Sequence, residues 1–169
     1  MIRLLEGKKG LVIGVANERS IAWGISKVLS MHGADLAFTF QTEGFEKRVR
    51  PLAESIGSKL IFQADVQDKE SLDVAFYEIG KEWGQMDFLV HAIAYSDKEE
   101  LTGRFINTSK ENFLRSLDIS CFSLVDLSRR VVPLMKNGGT ITTVTYIGSK
   151  RVTPNSNVMG VAKAALESA

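Results

Sequence analysis

Small or polar residues that could bind a ligand directly follow several apolar runs of the sequence. Gly14 ends the run Gly-Leu-Val-Ile-Gly, and Ser20 opens the amphipathic stretch that comes next. Glycine lets the chain turn sharply, and a serine at a helix start can cap the helix and offer its hydroxyl to a phosphate. Because the spacing is not G-x-G-x-x-G, an ordinary strand-to-helix turn remains an alternative here.

Gln41 and the pair Asp65-Val66 follow the second and third apolar runs. In dinucleotide-binding α/β sheets the residue that binds the adenosine ribose follows the second strand, usually as Asp or Glu. A glutamine can still hydrogen-bond ribose or adenine, but it lacks the charge that repels a 2′-phosphate. Asp65 can hold an adenine together with the adjacent backbone, or it can simply start a turn. These residues leave the choice between NADH and NADPH open.

The last two apolar runs end near residues that invite a catalytic interpretation. His91-Ala92-Ile93-Ala94 offers small side chains that permit close approach of a cofactor, while His91 alone is more typical of a structural histidine. Tyr146 and Lys150 show the Tyr-x-x-x-Lys spacing of short-chain ketoreductases. That chemistry needs both residues on one helix. The preceding Ile-Thr-Thr-Val-Thr and the following Gly148 indicate a strand exit instead.

Five short β-branched runs alternate with longer amphipathic stretches and therefore predict the fold. The runs predict strands over 10–14, 35–40, 59–63, 88–93 and 140–146. The stretches predict helices over 20–32, around 47–56, over 69–83, from a cap at Thr108 or Ser109 towards Met135, and from about Asn155 onwards. Such alternation predicts one Rossmann-like domain over residues 1–169, a doubly wound parallel sheet of order 3-2-1-4-5 in three α/β/α layers.

The composition argues against several other classes of function. The 169 residues are 44% hydrophobic and 24% charged with a net charge of +1, so neither a nucleic acid nor an anionic membrane is expected as a partner. No apolar stretch reaches the roughly 18 residues that a membrane span needs. Two histidines and one distant cysteine cannot build a metal site. The lone Cys121 allows no intrachain disulfide, and we expect the cytoplasm.

Five segments taken together resemble one family. They are Gly-Val-Ala-Asn-Glu-Arg-Ser-Ile-Ala-Trp-Gly (14–24), Phe-Thr-Phe-Gln (38–41), Ala-Asp-Val (64–66), Val-His-Ala-Ile-Ala (90–94) and Asn-Val-Met-Gly-Val-Ala-Lys-Ala-Ala-Leu-Glu (157–167). In this order and spacing they resemble the bacterial NADH-dependent enoyl-[acyl-carrier-protein] reductases, members of the short-chain dehydrogenase/reductase superfamily. The resemblance covers essentially the whole chain, and its first and last segments are distinctive within that superfamily.

The resemblance implies an activity and a set of residue roles. The reaction would be the reduction, with NADH, of the trans-2 double bond of an acyl thioester carried on acyl carrier protein, in fatty-acid synthesis. A homotetramer with the 109–135 helix and the final helix at its interfaces is also implied. Ser96 would lie near the acyl substrate, and Tyr146 and Lys163 would belong to the reaction centre. The implied nucleotide contacts are Gly14, Ser20, Ile21, Gln41, Asp65, Val66, Ile93 and Lys163.

The chain departs from the family at Ser156, where these reductases have a tyrosine seven positions before the lysine. Two helical turns would bring positions 156 and 163 to nearly one face. A serine hydroxyl is a weaker acid on a shorter stem than a phenol. Either Tyr146 supports the reaction alone, or the polypeptide is impaired, or the serine is an altered residue.

The chain ends six residues after Lys163, so we expect it to be C-terminally incomplete relative to the family. Two alternative functions stay open, a non-catalytic dinucleotide-binding module and a ketoreductase. The sequence does not indicate the preferred acyl chain length.

Overall fold

The computed structural model describes residues 3–169, which form two compact units. The first contains residues 3–92 and Ser128–Thr143, and the second contains Ile93–Leu127 and Val144–Ala169. The strands are β1 (Lys9–Ile13), β2 (Asp35–Phe40), β3 (Leu60–Gln63), β4 (Phe88–His91) and β5 (Thr140–Thr143). The α-helices are α1 (Ile21–Met31), α2 (Glu43–Ser55), α3 (Lys69–Trp83), α4 (Lys110–Leu117), α5 (Ser123–Val131) and α6 (Asn157–Ser168).

All five strands belong to the first unit and form one parallel sheet in the order β3-β2-β1-β4-β5. The predicted strand order is therefore confirmed. Val12 in the central β1 pairs with Phe38 on one side and Val90 on the other. Both Val12 and Phe38 are fully buried, which explains why the central strands read as continuous apolar runs rather than alternating ones.

The helices of the first unit cover both faces of this sheet. Right-handed crossovers lead outwards from β1 in two directions, so α1 and α2 lie on one face and α3 on the other. Trp23 of α1 packs on Phe38 with ring centroids 6.4 Å apart. On α3 the buried residues recur at the helical spacing of one apolar face, namely Leu72, Ala75, Phe76 and Ile79. The predicted three-layer α/β/α arrangement follows from this topology.

Helix α3 shows why the sequence predicts some helix boundaries well. Asp68 accepts hydrogen bonds from the backbone N–H groups of Glu70 and Ser71, which caps the first turn. Gly84 ends the helix in the left-handed conformation with φ 70°. Both signals are local, and the helix covers the predicted 69–83.

The helix predicted from Thr108 or Ser109 towards Met135 is interrupted. Ser109 is the cap, because its Oγ accepts the Asn112 N–H over 3.1 Å. After α4 the backbone makes a π-helical turn over Asp118–Phe122, and after α5 a 3₁₀ turn over Val132–Leu134 that contains Pro133. A π-turn leaves the apolar pattern helical, so periodicity could not reveal it.

Two predicted strands and the last helix are shorter than expected. β4 ends at His91 and β5 at Thr143, which form the last pair of their ladder, so Ile93 and Tyr146 lie beyond the strands. Helix α6 begins at Asn157, two residues after the predicted start near Asn155, and both asparagines have a positive φ. Among residues 3–169, no helix is long and apolar enough to cross a membrane.

Candidate functional site

The turn after β1 requires glycine. Gly14 has a φ of +112°, and a Cβ at this position would lie 2.0 Å from the carbonyl oxygen of Ala92. Any side chain would therefore force apart the chain segments that follow the neighbouring strands β1 and β4. The turn reaches helix α1 at Ile21, whose side chain is 66% exposed.

Ser20 is at the predicted helix start, but its hydroxyl has a different role from the predicted cap. Its Oγ accepts hydrogen bonds from the N–H groups of Ala16 (3.0 Å) and Asn17 (3.1 Å) and makes no cap bond with α1. The preceding turn and the helix both offer N–H groups at this point, and the Ser20 hydroxyl binds those of the turn. The hydroxyl thus makes the turn rigid and can donate its own proton outwards to an anion.

Gln41 and Asp65, predicted to bind the same part of a nucleotide, come together at the carboxyl ends of β2 and β3. Gln41 Nε2 donates to Asp65 Oδ2 over 2.7 Å, and the exposed Gln41 is held further by Gln63 Nε2, which donates to its carbonyl oxygen. Asp65 Oδ1 accepts the Gln67 N–H over 2.9 Å. The Asp65 carboxylate therefore both shapes a turn and binds Gln41, and the half-buried Val66 lies inside that turn.

Lys163 is the buried cation of the second unit. Its Nζ donates to the carbonyl oxygens of Ile93 (2.9 Å) and Val144 (3.0 Å), and the residue is only 4% exposed. Burial lowers the pKa of Lys163, and the nearby Cys121 thiol opposes that shift. An ammonium group has three N–H donors. After binding two backbone carbonyls, Lys163 still has one N–H with which to bind a ligand hydroxyl.

Tyr146 has a buried phenol oxygen that has no hydrogen-bond partner within residues 3–169. The ring packs directly against Gly148, whose own carbonyl packs against Gly160. A Cβ at Gly148 would lie 2.3 Å from Tyr146 Oη, and one at Gly160 would lie 2.8 Å from the Gly148 carbonyl oxygen. Buried polar groups are nearly always paired. An unpaired buried phenol packed against a glycine therefore indicates a hydroxyl that still has hydrogen-bonding capacity for a ligand.

Tyr146 and Lys150 do not share an α-helix. Tyr146 has an extended backbone (φ −154°, ψ 169°), a 3₁₀ turn over Ile147–Ser149 follows, and the exposed Lys150 ends that turn. The predicted strand-exit placement is correct. The helical Tyr–Lys pair on which the ketoreductase alternative depends is absent from this segment.

Ser156 lies just outside α6, so the assumption that positions 156 and 163 share a helix was wrong. Its backbone (φ −127°, ψ −19°) is not helical, and it lies between Asn155 and Asn157, both at positive φ. Ser156 Oγ donates to the Pro154 carbonyl oxygen over 3.4 Å. Within residues 3–169 no hydrogen bond joins Ser156 to Tyr146 or Lys163.

Ser96 is part of a hydrogen-bond network that the sequence did not reveal. The side chain of Asn112 is fully buried; its Nδ2 donates to Ser96 Oγ and Glu100 Oε2, and its Oδ1 accepts the Asp97 N–H. Asp97 also forms an ion pair with Arg115. The only available signal was an asparagine inside a helix, where that residue type is unfavourable unless its amide is used.

Asn157 holds the same segment from α6. Its Nδ2 donates to the carbonyl oxygens of Glu100 (2.8 Å) and Thr102 (3.1 Å), and its φ of 25° is unusual for a residue other than glycine. Asn112 and Asn157 together fix the backbone that follows Ser96. Among residues 3–169, no cluster of His, Cys, Asp or Glu side chains could hold a metal ion.

Comparison with known proteins agrees with this geometry. Residues 14–169 match a family model described as enoyl-(acyl carrier protein) reductase. The chain is 53% identical over 165 residues to the NADH-dependent enoyl-[acyl-carrier-protein] reductase FabI of Rickettsia typhi, covering 98% of this chain and 63% of that protein. It is 49% identical over 166 residues to FabI of Aquifex aeolicus, covering 98% of this chain and 62% of that one.

Solved structures of enoyl-acyl-carrier-protein reductases also match this chain. The reductase from Anaplasma phagocytophilum, crystallised in complex with NAD, matches with a TM-score of 0.96 and 53% identity over 99% of this chain and 64% of that chain. FabI from Candidatus Liberibacter asiaticus matches with a TM-score of 0.97 and 50% identity, over 99% and 65%. The chain thus spans less than two thirds of the length of these relatives. Its sequence and fold show that it belongs to the enoyl-(acyl carrier protein) reductase family.

Proposed function

We propose that the full-length protein reduces the trans-2 double bond of enoyl thioesters carried on acyl carrier protein, with NADH as the reductant, in fatty-acid synthesis. The observation that carries this proposal is the Tyr146 phenol, whose oxygen is buried, unpartnered within residues 3–169 and packed against Gly148. Reduction of an enoyl thioester places negative charge on the thioester oxygen. A phenol is a suitable donor for that oxygen, because it stabilises charge that develops in the transition state.

The residues of the first unit fit the adenosine and pyrophosphate parts of NADH. Gln41 and Asp65 present an amide and a carboxylate to the hydroxyl and amino groups of an adenosine. The turn from Gly14 to Ser20 is kept free of side-chain bulk at Gly14, and it offers the Ser20 hydroxyl and the start of α1 at Ile21 to a pyrophosphate. Val66 adds backbone beside Asp65.

The second unit supplies the groups for the reactive end. When bound, NADH would supply a hydride to the β-carbon of the substrate. Lys163, held by the carbonyls of Ile93 and Val144, keeps one N–H for a ribose hydroxyl. Ile93 would contact the cofactor beside Lys163. Tyr146 would hydrogen-bond the thioester oxygen, and Ser96, held by Asn112, would line the acyl chain.

The neutral Gln41 supports a preference for NADH. An NADPH-specific site usually has a cation that pairs with the 2′-phosphate. Here the nearest partner of Gln41 is the Asp65 carboxylate, whose negative charge repels a phosphate. We therefore propose NADH as the reductant.

We also propose a homotetramer located in the cytoplasm. In the second unit, Leu114, Phe122, Val125 and Val161 are large apolar side chains that are between 38% and 54% exposed. Exposed apolar side chains on helix faces are a feature that subunit interfaces use. The free Cys121 thiol suits a reducing compartment. Sedimentation of the full-length protein, with Phe122→Glu as the disrupting variant, tests the assembly.

The test of the function is a comparison of two substrates. The full-length protein is incubated with NADH and either a trans-2-enoyl thioester or a β-ketoacyl thioester, and the loss of NADH is followed by absorbance. We expect oxidation of NADH only with the enoyl thioester. Turnover of the ketoacyl thioester instead would refute the proposal. Tight NADH binding without turnover of either thioester would also refute it and would favour a non-catalytic dinucleotide-binding module.

A further inference from the structure

Glu167, in the last turn of α6, binds both sides of the segment that carries Tyr146. Its Oε1 accepts a hydrogen bond from Thr145 Oγ1 over 2.6 Å and another from Ser149 Oγ over 2.5 Å. Thr145 directly precedes Tyr146, and Ser149 is the last residue of the 3₁₀ turn that begins after it. The same Ser149 Oγ also lies 2.8 Å from the Tyr146 carbonyl oxygen. One carboxylate oxygen therefore joins the two ends of the segment 145–149, a short loop that contains Tyr146.

Lys163 and Glu167 act on this loop from one face of the same helix. They are four positions apart in α6, a spacing that places side chains next to each other. Lys163 binds the carbonyl oxygen of Val144, and Glu167 binds the side chains of Thr145 and Ser149. The backbone on each side of Tyr146 is thus attached to α6 at three points.

The attachment matters because the phenol oxygen of Tyr146 has no hydrogen-bond partner in residues 3–169, whereas its backbone carbonyl oxygen accepts from the N–H and Oγ of Ser149. A phenol with a polar partner is oriented by that partner, but the orientation of this ring depends on its backbone and on its close packing against Gly148. A small shift of the loop would move Oη directly. The groups that fix the loop therefore fix the position of the phenol.

The carboxylate of Glu167 is well suited to hold two hydroxyl donors. The hydroxyl groups of Ser149 and Thr145 lower the pKa of Glu167, desolvation raises it by less, and the charge of Lys150 lowers it further. The side chain is consequently ionised at neutral pH and acts only as an acceptor. Charge-assisted hydrogen bonds of this kind are stronger than neutral ones.

We propose that Glu167 is a positioning residue for Tyr146, holding the phenol where the reaction needs it through Thr145 and Ser149. The consequence for catalysis rests on the function proposed above, whereas the placement of the ring does not. Glu167 itself touches neither substrate nor cofactor in this account. Its removal should change the geometry of the phenol and the rate of the chemical step, but not the binding of NADH.

The experiment separates these effects with a spectroscopic probe. The full-length protein is labelled with 3-fluorotyrosine, and the ¹⁹F resonance of Tyr146 is assigned with Tyr146→Phe. We expect Glu167→Ala to shift and broaden this resonance. Glu167→Gln keeps an acceptor oxygen and should retain a resonance close to that of the wild type. Glu82→Ala, which removes an exposed carboxylate of α3, serves as the matched control.

Steady-state kinetics then test whether Glu167 acts through Thr145 and Ser149. We expect Glu167→Ala to lower kcat roughly 10- to 100-fold, the scale of a misplaced catalytic group, with an unchanged NADH dissociation constant. Glu167→Gln should restore most of kcat. The double variant Thr145→Val/Ser149→Ala should lower kcat as much as Glu167→Ala does. Combining all three substitutions should lower kcat little further, because the groups act as a unit.

Two results would overturn the proposal. One is a Tyr146 resonance that is unaltered in Glu167→Ala; the other is a loss of kcat that persists undiminished when Glu167→Ala is made in the Tyr146→Phe background. If Glu167→Ala does not fold, Glu167→Gln and Ser149→Ala decide the question by the same resonance. If the wild type reduces no enoyl thioester, the proposed function fails, while the resonance still decides whether Glu167 positions Tyr146.

Discussion

Gln41 donates its side-chain amide to Asp65 over 2.7 Å, which joins the residues that follow β2 and β3. The hydrogen bond uses the amide nitrogen of Gln41 and leaves Oε1 as an acceptor for a ribose hydroxyl. An acceptor oxygen beside a carboxylate suits a 2′-hydroxyl and opposes a 2′-phosphate. This pair is therefore the structural basis for expecting NADH.

Replacing Gln41 with Arg should move the preference towards NADPH. The guanidinium would pair with the 2′-phosphate, and a charge-assisted hydrogen bond of about 1.5–3 kcal/mol corresponds to a roughly 10- to 100-fold change in the affinity ratio. Fluorescence titration of both dinucleotides measures that ratio. Gln85→Arg, the same exchange at a position outside this pair, should leave it unaltered. An unchanged ratio in Gln41→Arg would show that the adenosine does not bind at Gln41 and Asp65.

Replacing Gly14 with Ala should destabilise the protein. The φ of +112° is strained for alanine, and the new Cβ would lie 2.0 Å from the Ala92 carbonyl oxygen, so we expect a loss of more than about 1 kcal/mol. Gly24→Ala is the control, because a Cβ at Gly24 meets nothing within 4 Å and lies within α1. That change should stabilise by about 0.5–1 kcal/mol. Denaturant unfolding of both variants measures the difference, and equal stabilities would contradict the close approach.

Replacing Ser156 with Tyr should raise kcat. If position 156 faces the reaction centre as the resemblance implies, the change would add a phenol there. Such assistance is worth roughly 10²-fold or more in kcat, with little change in the NADH dissociation constant. Ser156→Phe adds the ring without the hydroxyl and should bring no gain. Should both variants leave kcat at the wild-type value, position 156 is not an acid site and the family's chemistry does not extend to it.

The features that the sequence predicted are those with local causes. The strand order, the glycine turn at Gly14 and the start of α3 at Asp68 follow from apolar runs, backbone conformation and caps, each set within a few residues. Gln41 and Asp65 were predicted to bind the same adenosine, and their common edge of the sheet follows from parallel strands, but the hydrogen bond between them was not predicted.

The features that the sequence did not reveal depend on residues far apart in the chain. Asn112 binds Ser96 and Glu100, and Glu167 binds Thr145 and Ser149, so neither role can be read from neighbours in sequence. The helix-cap hydrogen bond predicted for Ser20 was wrong for another reason. Its hydroxyl could reach the helix or the turn, and the two choices look the same in sequence.

The most direct test of the central claim is kcat of the Tyr146→Phe variant of the full-length protein, with a trans-2-enoyl thioester and NADH. The variant removes one oxygen and keeps the ring packed against Gly148. If Tyr146 donates to the thioester oxygen, kcat should fall roughly 10²-fold or more while the NADH dissociation constant stays the same. A Tyr146→Phe variant with the kcat of the wild type would contradict the account.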